Sequence, residues 1–421
     1  MGCMRATNDK PAAGSYIWNS IGGMLNALQS VVVLMVITRT CGLADAGIYS
    51  IAFATGNLFM YLGNYGVRNY QVSDLRQQYA FQDYLWHRCV TILLMLAASA
   101  FYCTVNFASG SYSPEKTAIV LAMCVLKTED CIEEVFEGRL HQNGRLDLAG
   151  KMMTVRILVS IGGMMAALVL TKSLLLSTLA AIVLAFGSFI FMAIRYRREI
   201  AWSRGPFLWA KTAGILAACF PVCAANFLSF YLINAPKYAI DAAMSEEVQA
   251  EYNFIAMPVF VIQLLTMFIY QPVMVRMTTS YRHKERMSFL REFMSVVRWL
   301  LVLSATVLFG AYLLGIPVLS ALYATDLTAL KGDLMLILLG SVFLAMNGFY
   351  SAVLTLMRMQ NRIPVYYLIG AILSLILTPH MVATGGITGA VTAFTWIMAL
   401  VCALLTMQFI AGVRHIGKEL L

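Results

Sequence analysis

Twelve long apolar runs, separated by polar breaks, constrain this chain more than any other feature. They lie at 14–38, 47–67, 85–107, 116–138, 152–171, 173–194, 209–233, 252–275, 293–316, 332–356, 363–380 and 387–411. A helix needs about 20 predominantly apolar residues to cross a bilayer, and most of these runs reach a usable spanning length. A transmembrane barrel would show short segments of alternating polarity instead. The expected fold is an all-α polytopic membrane protein with about twelve transmembrane helices.

Composition agrees. Of 421 residues, 60% are hydrophobic and 12% charged, against about 45–50% and about 25% in a soluble domain. That excludes a water-soluble enzyme, a disordered chain and a collagen-like fibre. The nine cysteines show neither a disulfide framework nor metal-ligand spacing. No charged–apolar–small cleavage pattern precedes the first run, so no removable signal peptide is expected.

The net charge of +9 sorts by side of the membrane, so it does not point to nucleic acid. With a cytoplasmic N-terminus, the inner connections carry 22 Lys and Arg, and the outer ones only Arg39, Lys116, Lys172, Lys237 and Lys331. Cytoplasmic loops are the Lys/Arg-rich ones. Both termini are therefore expected in the cytoplasm, with the chain in the inner cell membrane. The alternation holds at every connection, which favours an even helix count.

Two connections are long and basic: 195–211 and 276–292. The first falls at mid-chain. It suggests a cytoplasmic N-terminus at 1–13, an N-lobe of six helices at 14–194, a linker at 195–208, a C-lobe of six helices at 209–411, and a cytoplasmic tail at 412–421. Trp202, Phe207 and Trp209 stand among the linker's cations, as in a segment at headgroup level. A short repeat supports two halves: ITRTCGLADAGIYSIA (37–52) matches INAPKYAIDAAMSEEVQAEYNFIA (233–256) in an outer-end cation, a polar stretch, then an aromatic before Ile-Ala. Both copies start from the same side, the parallel kind of repeat.

ITRTCGLADAGIYSIAFATGNLFMYLGNYGVRNYQ resembles the first two helices of polysaccharide biosynthesis proteins. These are the oligosaccharide (O-antigen-type) flippases of the multidrug/oligosaccharidyl-lipid/polysaccharide exporter (MOP) superfamily. NAPKYAI (234–240), following Pro221, is similar to their Asn-x-Pro-Arg/Lys-Tyr stretch, and Gln271-Pro272 and TGGITGAVTAF (384–394) also fit. The resemblance implies two lobes around a central cavity. It also implies movement of undecaprenyl-pyrophosphate-linked sugars from the inner to the outer leaflet, in concert with glycosyltransferases and a polymerase. The partners are then a lipid-linked oligosaccharide and membrane lipids, with H⁺ or Na⁺ as candidate coupling ions and no nucleic acid.

Ionisable residues inside spanning helices are costly and therefore informative. The fourth run reads VLKTEDCIEEVFEGR (125–139). At about 100° per residue, with Lys127 at zero, Glu129, Asp130, Glu133, Glu134 and Glu137 fall near 200°, 300°, 240°, 340° and 280°, one arc of less than half the circumference. Three uses of that arc are open. It can pair with Arg68, Arg139, Arg145 or Arg156. It can line a cavity in which Lys127 meets lipid phosphate. Or Asp130, Glu133 and Glu134 can carry a coupling ion. Five acids around one lysine do not suit a pure anion site.

Arg39 and Lys237 hold similar positions in the two halves, and could grip a pyrophosphate together, the arginine bidentately and the lysine as a point charge. Arg298 is a further candidate cation. Asn64, Asn234 and Tyr238 are candidate neutral groups for cargo oxygens.

No Gly-x4-Gly-Lys-Ser/Thr loop occurs, and the five histidines are scattered. No nucleophile–base pair, metal site or cofactor site is expected, and the chain reads as a transporter rather than an enzyme. The alternatives are a cation-coupled multidrug and toxin extrusion antiporter, favoured by the acidic fourth run, and a membrane glycosyltransferase or polymerase, which would want larger outer loops. Reporter fusions after Lys116 and after Leu421 are expected to report opposite sides of the membrane; the same side for both would overturn the topology.

Overall fold

A bilayer offers no water to the backbone, so a spanning chain must close its hydrogen bonds inside helices. A computed structural model of the chain, which describes residues 13–74, 78–202 and 205–414, shows the apolar runs doing so. In order the long helices are α1 (Ala13–Thr40), α2 (Leu43–Asn64), α3 (Phe81–Ala108), α4 (Pro114–Gln142), α5 (Leu146–Thr171), α6 (Leu174–Arg195), α7 (Trp209–Ala243), α8 (Glu246–Arg282), α9 (Arg286–Gly310) and α10 (Lys331–Leu356). A last helical stretch, Ile363–Val413, is broken at Gly386 into α11 (363–385) and α12 (387–413). These twelve coincide with the twelve apolar runs. No strand occurs among the described residues. The terminal segments 1–12 and 415–421, with Arg5, Lys10 and Lys418, lie outside the described residues, as do Arg76 and Arg204.

Nine of the described helical stretches are long and apolar enough to cross a membrane by length and composition. The difference from twelve has simple causes. The stretch containing α11 and α12 counts once, α4 is disqualified by its charged face, and α2 by its polar residues. The chain is an all-α polytopic membrane protein.

The helix ends are set locally. Ser113 accepts the Lys116 backbone N–H (3.1 Å) ahead of Pro114 at the start of α4, a capping arrangement that satisfies a free donor of the first turn. Asp83 accepts the Ala80 backbone N–H (2.9 Å) at the start of α3, and its carboxylate also holds Lys211 of α7 (2.7 Å). The described cysteines are all free thiols.

Packing divides the chain into two compact units. One comprises the residues through Val36 together with Thr55–Cys223, the other Ile37–Ala54 together with Ala224–Leu421. This division by contact follows other boundaries than the division by chain order at 195–208. In the first unit α4 is the central helix, packed against α3, α5, α6 and the short helices Val67–Ser73 and Arg197–Ile200. Its apolar side is buried too: Cys131 and Val135 are as enclosed as Glu129 and Glu133.

In the second unit α8 and α10 are central, with α9, α11 and α12 around them. An aromatic cluster ties α9, α10 and α12, in which Phe293 stacks on Phe409 at 4.1 Å and packs on Phe349 at 5.2 Å. The two copies of the short repeat meet here. Gly47 of α2 lies so close to α8 that a Cβ would fall 1.9 Å from the Glu246 carbonyl, and the Tyr238 hydroxyl donates to the Ala54 carbonyl (3.2 Å).

Gly386 has φ 56° and ψ −134°, a conformation open to glycine and closed to residues with a Cβ. Its neighbour Gly385 is not so constrained and has open space around it. Gly386→Val is expected to lower stability by about 1–3 kcal/mol, read as an earlier thermal unfolding of the purified protein, and Gly385→Ala to leave it unchanged.

Candidate functional site

The acids of α4 find cations on three sides. Arg156, on α5, reaches three of them: its guanidinium pairs with Asp130 and Glu133, and its Nε lies 3.1 Å from Glu129 Oε2. Lys127 Nζ donates to Asp130 Oδ2 at 2.9 Å, one turn along α4 itself. Arg88, on α3, donates to Glu134 at 2.7 Å and to the Gly63 carbonyl. Arg68, on the short helix after α2, pairs with Glu137 at 2.8 Å.

Glu129, Glu133 and Glu137 are buried, and Asp130 and Glu134 keep side-chain exposures of only 14% and 19%. This residual exposure sits on the polar arc, while Val135 opposite is closed off. Removing one partner of a buried pair strands a charge, so the set holds together as a network. Among the described residues it contains five carboxylates and four cations, one carboxylate more than its counter-charges.

Of the four arginines expected as partners, Arg68 and Arg156 serve. Arg139 instead donates to the Ile200 carbonyl (3.2 Å), and Arg145 pairs with Asp147 (3.0 Å). Arg88 counts by sequence among the 22 cations of the inner connections, yet it is 2% exposed in the structure and belongs to this network. Its place one turn inside an apolar run was the signal available. Asn64 also faces Arg88, accepting from its guanidinium at 3.4 Å.

The remaining candidates lie in the second unit. Lys237, on α7, is 6% exposed and makes no hydrogen bond or ion pair with any described residue. It lines a cleft with Asn234, Tyr252, Ala256, Phe260 and Phe394 that has about 10 Å³ of free volume, room for a single water. Asn234 is buried beside it, donating to the Phe230 carbonyl at 3.1 Å. Tyr238 stacks parallel on Tyr231 at 6.0 Å.

Arg39 is not among the residues of this cleft. It is exposed, and its Nη2 donates to the carbonyls of Ala321 (3.1 Å) and Leu322 (3.2 Å). These are last-turn carbonyls of the helix Ile316–Tyr323 that continues α9, where a cation is favoured by unpaired acceptors and the helix dipole. Arg298 lies on the exposed face of α9 beside Trp299, Leu301 and Val302. No group of three or more His, Cys, Asp or Glu placed to hold a metal occurs among the described residues.

No protein-family model matches the chain, and no curated protein matches it in sequence. Solved structures do match its fold. The lipid II flippase MurJ in an inward closed conformation superposes with a TM-score of 0.73 at 13% identity, over 95% of this chain and 90% of that one. An inward-facing multidrug resistance MATE family transporter of the MOP superfamily gives 0.69 at 12% identity, over 97% and 100%. A MOP superfamily transporter from Pyrococcus furiosus, described as having a binding pocket of reversed polarity, gives 0.57 at 13% identity, over 97% and 100%. The chain therefore has the polytopic fold of MOP superfamily transporters. Its likeness runs to flippase and multidrug members alike.

Arg156→Gln is expected to destabilise the protein by about 3–5 kcal/mol, because it strands buried carboxylates. Adding Glu129→Gln should recover part of that loss. The check is thermal unfolding of the purified single and double variants, with a non-additive double as the expected result.

Proposed function

We propose that this chain is a secondary transporter that flips a lipid-linked oligosaccharide from the inner to the outer leaflet by alternating access, for surface polysaccharide synthesis. One observation carries the reading: Lys237 is a buried cation without a counter-ion among the described residues. An isolated ammonium in a low-dielectric site is costly. A phosphate oxygen of a pyrophosphate-linked cargo would supply the missing charge. Asn234 lines the same cleft and offers an amide to the head group; the Tyr238 hydroxyl would have to leave the Ala54 carbonyl to join it.

The cleft as it stands admits a water and not a diphosphate, so cargo engagement requires it to widen. That is what a binding site in a cycling transporter must do between its states. The MurJ neighbour is named a lipid II flippase, and a carrier of lipid-linked cargo on this fold supports the reading. Arg39, engaged with helix-end carbonyls, is assigned the lesser part in binding.

A second reading rests on the α4 network. Its one uncompensated carboxylate among Glu129, Asp130, Glu133, Glu134 and Glu137 would suit a proton or Na⁺, as a cation-coupled antiporter needs. In the flippase reading the same excess carboxylate is where H⁺ or Na⁺ would couple to cargo movement.

Lys237→Gln is expected to cut transport by one or two decades, since a hydrogen bond to a charged group contributes about 1.5–3 kcal/mol. Lys237→Arg should retain more activity than Lys237→Gln, because it keeps the charge. The measurement is accumulation of lipid-linked cargo in the inner leaflet of cells holding each variant at equal protein level. Full transport by Lys237→Gln would remove Lys237 from the site.

A further inference from the structure

The first unit contains a second, much larger cavity, of about 1,010 Å³, between α3, α6 and the segment that follows α6. It reaches the upper end of the roughly 300–1,000 Å³ typical of ligand sites. Its walls are apolar. Leu93 of α3 and Ile190 and Ile194 of α6 line it while standing more than half exposed, so it is continuous with faces that spanning helices turn toward hydrocarbon. Phe136 of α4 closes its floor beside Arg88. Arg88 is already held by Glu134 and the Gly63 carbonyl, which leaves no free charge inside.

One end differs. Arg197 and Trp202 stand at the rim, both exposed. Arg197 has no acidic partner among the described residues, while its neighbours Arg195 and Arg198 add further positive charge. Trp202 packs edge-on against Phe136 at 5.9 Å. The linker is pinned over the cavity by Trp86, whose Nε1–H donates to the Gly205 carbonyl at 3.2 Å and whose ring packs on Phe207. Gly205 allows that approach, since a Cβ there would fall 1.7 Å from the Gln82 amide. Tryptophans beside cations at the end of an apolar groove mark the level of the lipid head groups. By the cation asymmetry this end faces the cytoplasmic leaflet, whose anionic lipids attract such segments.

We infer that this cavity is a binding site for an anionic phospholipid of the cytoplasmic leaflet, its acyl chains between α3 and α6 and its phosphate on Arg197. The charge complementarity selects an anion. Apart from Gln82, the lining has no amide or hydroxyl to receive an oligosaccharide, which argues against the cargo as occupant. A lipid held here would brace the linker against α3.

The test uses the purified full-length protein in detergent, titrated with phosphatidylglycerol or with phosphatidylcholine of the same chains, with bound lipid counted by native mass spectrometry. The expected result is one saturable phosphatidylglycerol, with phosphatidylcholine, whose choline cancels the phosphate charge beside Arg195, Arg197 and Arg198, weaker by about tenfold or more. Arg197→Gln should abolish that preference, and Arg197→Lys should keep most of it. Ala193→Trp, which sets an indole across the cavity below its rim, should displace the bound lipid; Ile190→Trp serves if Ala193→Trp does not fold. Equal binding of the two lipids, an unchanged preference in Arg197→Gln, or unweakened lipid binding in the obstructed variant would each overturn the assignment. So would displacement of phosphatidylglycerol by undecaprenyl phosphate at lower concentration, which would give the cavity to the cargo's tail.

Discussion

Charge inside a medium without water is the constraint on which this structure depends. The bilayer forces the backbone into helices, and it also forces every ionised side chain within the span to find a partner or a reason for lacking one. The two units meet that demand in opposite ways. In the first, α4 is enclosed by its neighbours, and Arg68, Arg88, Lys127 and Arg156 answer its acids. In the second, Lys237 is buried with no counter-ion among the described residues. The paired charges hold helices in register. The unpaired one is the basis of the proposed anion site.

This contrast resolves the main difficulty that the sequence raises, five acids on one helix of a protein that would carry an anionic cargo. Four of the five negative charges are balanced within the unit, by three arginines and a lysine drawn from four different segments. Among the described residues, one carboxylate of the set is left without a counter-charge of its own. The acids belong to one unit and Lys237 to the other.

The helices were legible in the sequence because hydropathy and length are local. Even the break at Gly386 was marked by two glycines between two apolar runs. Much of the site was not legible, for reasons that are equally physical. A helical wheel separates the polar from the apolar arc of α4, but it cannot say that Cys131 and Val135 face protein rather than lipid. Arg88 reads as a topology signal by position, and only the fold reveals Glu134 beside it. Arg39 and Lys237 look equivalent in a repeat of two halves. The partners that separate them are carbonyls at Ala321 and Leu322, groups that carry no sequence identity and lie 282 and 283 residues away.

The central claim is that the unpaired cation in the second unit defines an anion-accepting transporter. Equilibrium binding to the purified protein tests it most directly, comparing a short-chain prenyl-diphosphate-linked oligosaccharide with a lipophilic organic cation. The account predicts saturable binding of the diphosphate and none of the cation. Binding of the organic cation, with no detectable affinity for the diphosphate, would contradict it and assign the chain to the extrusion antiporters.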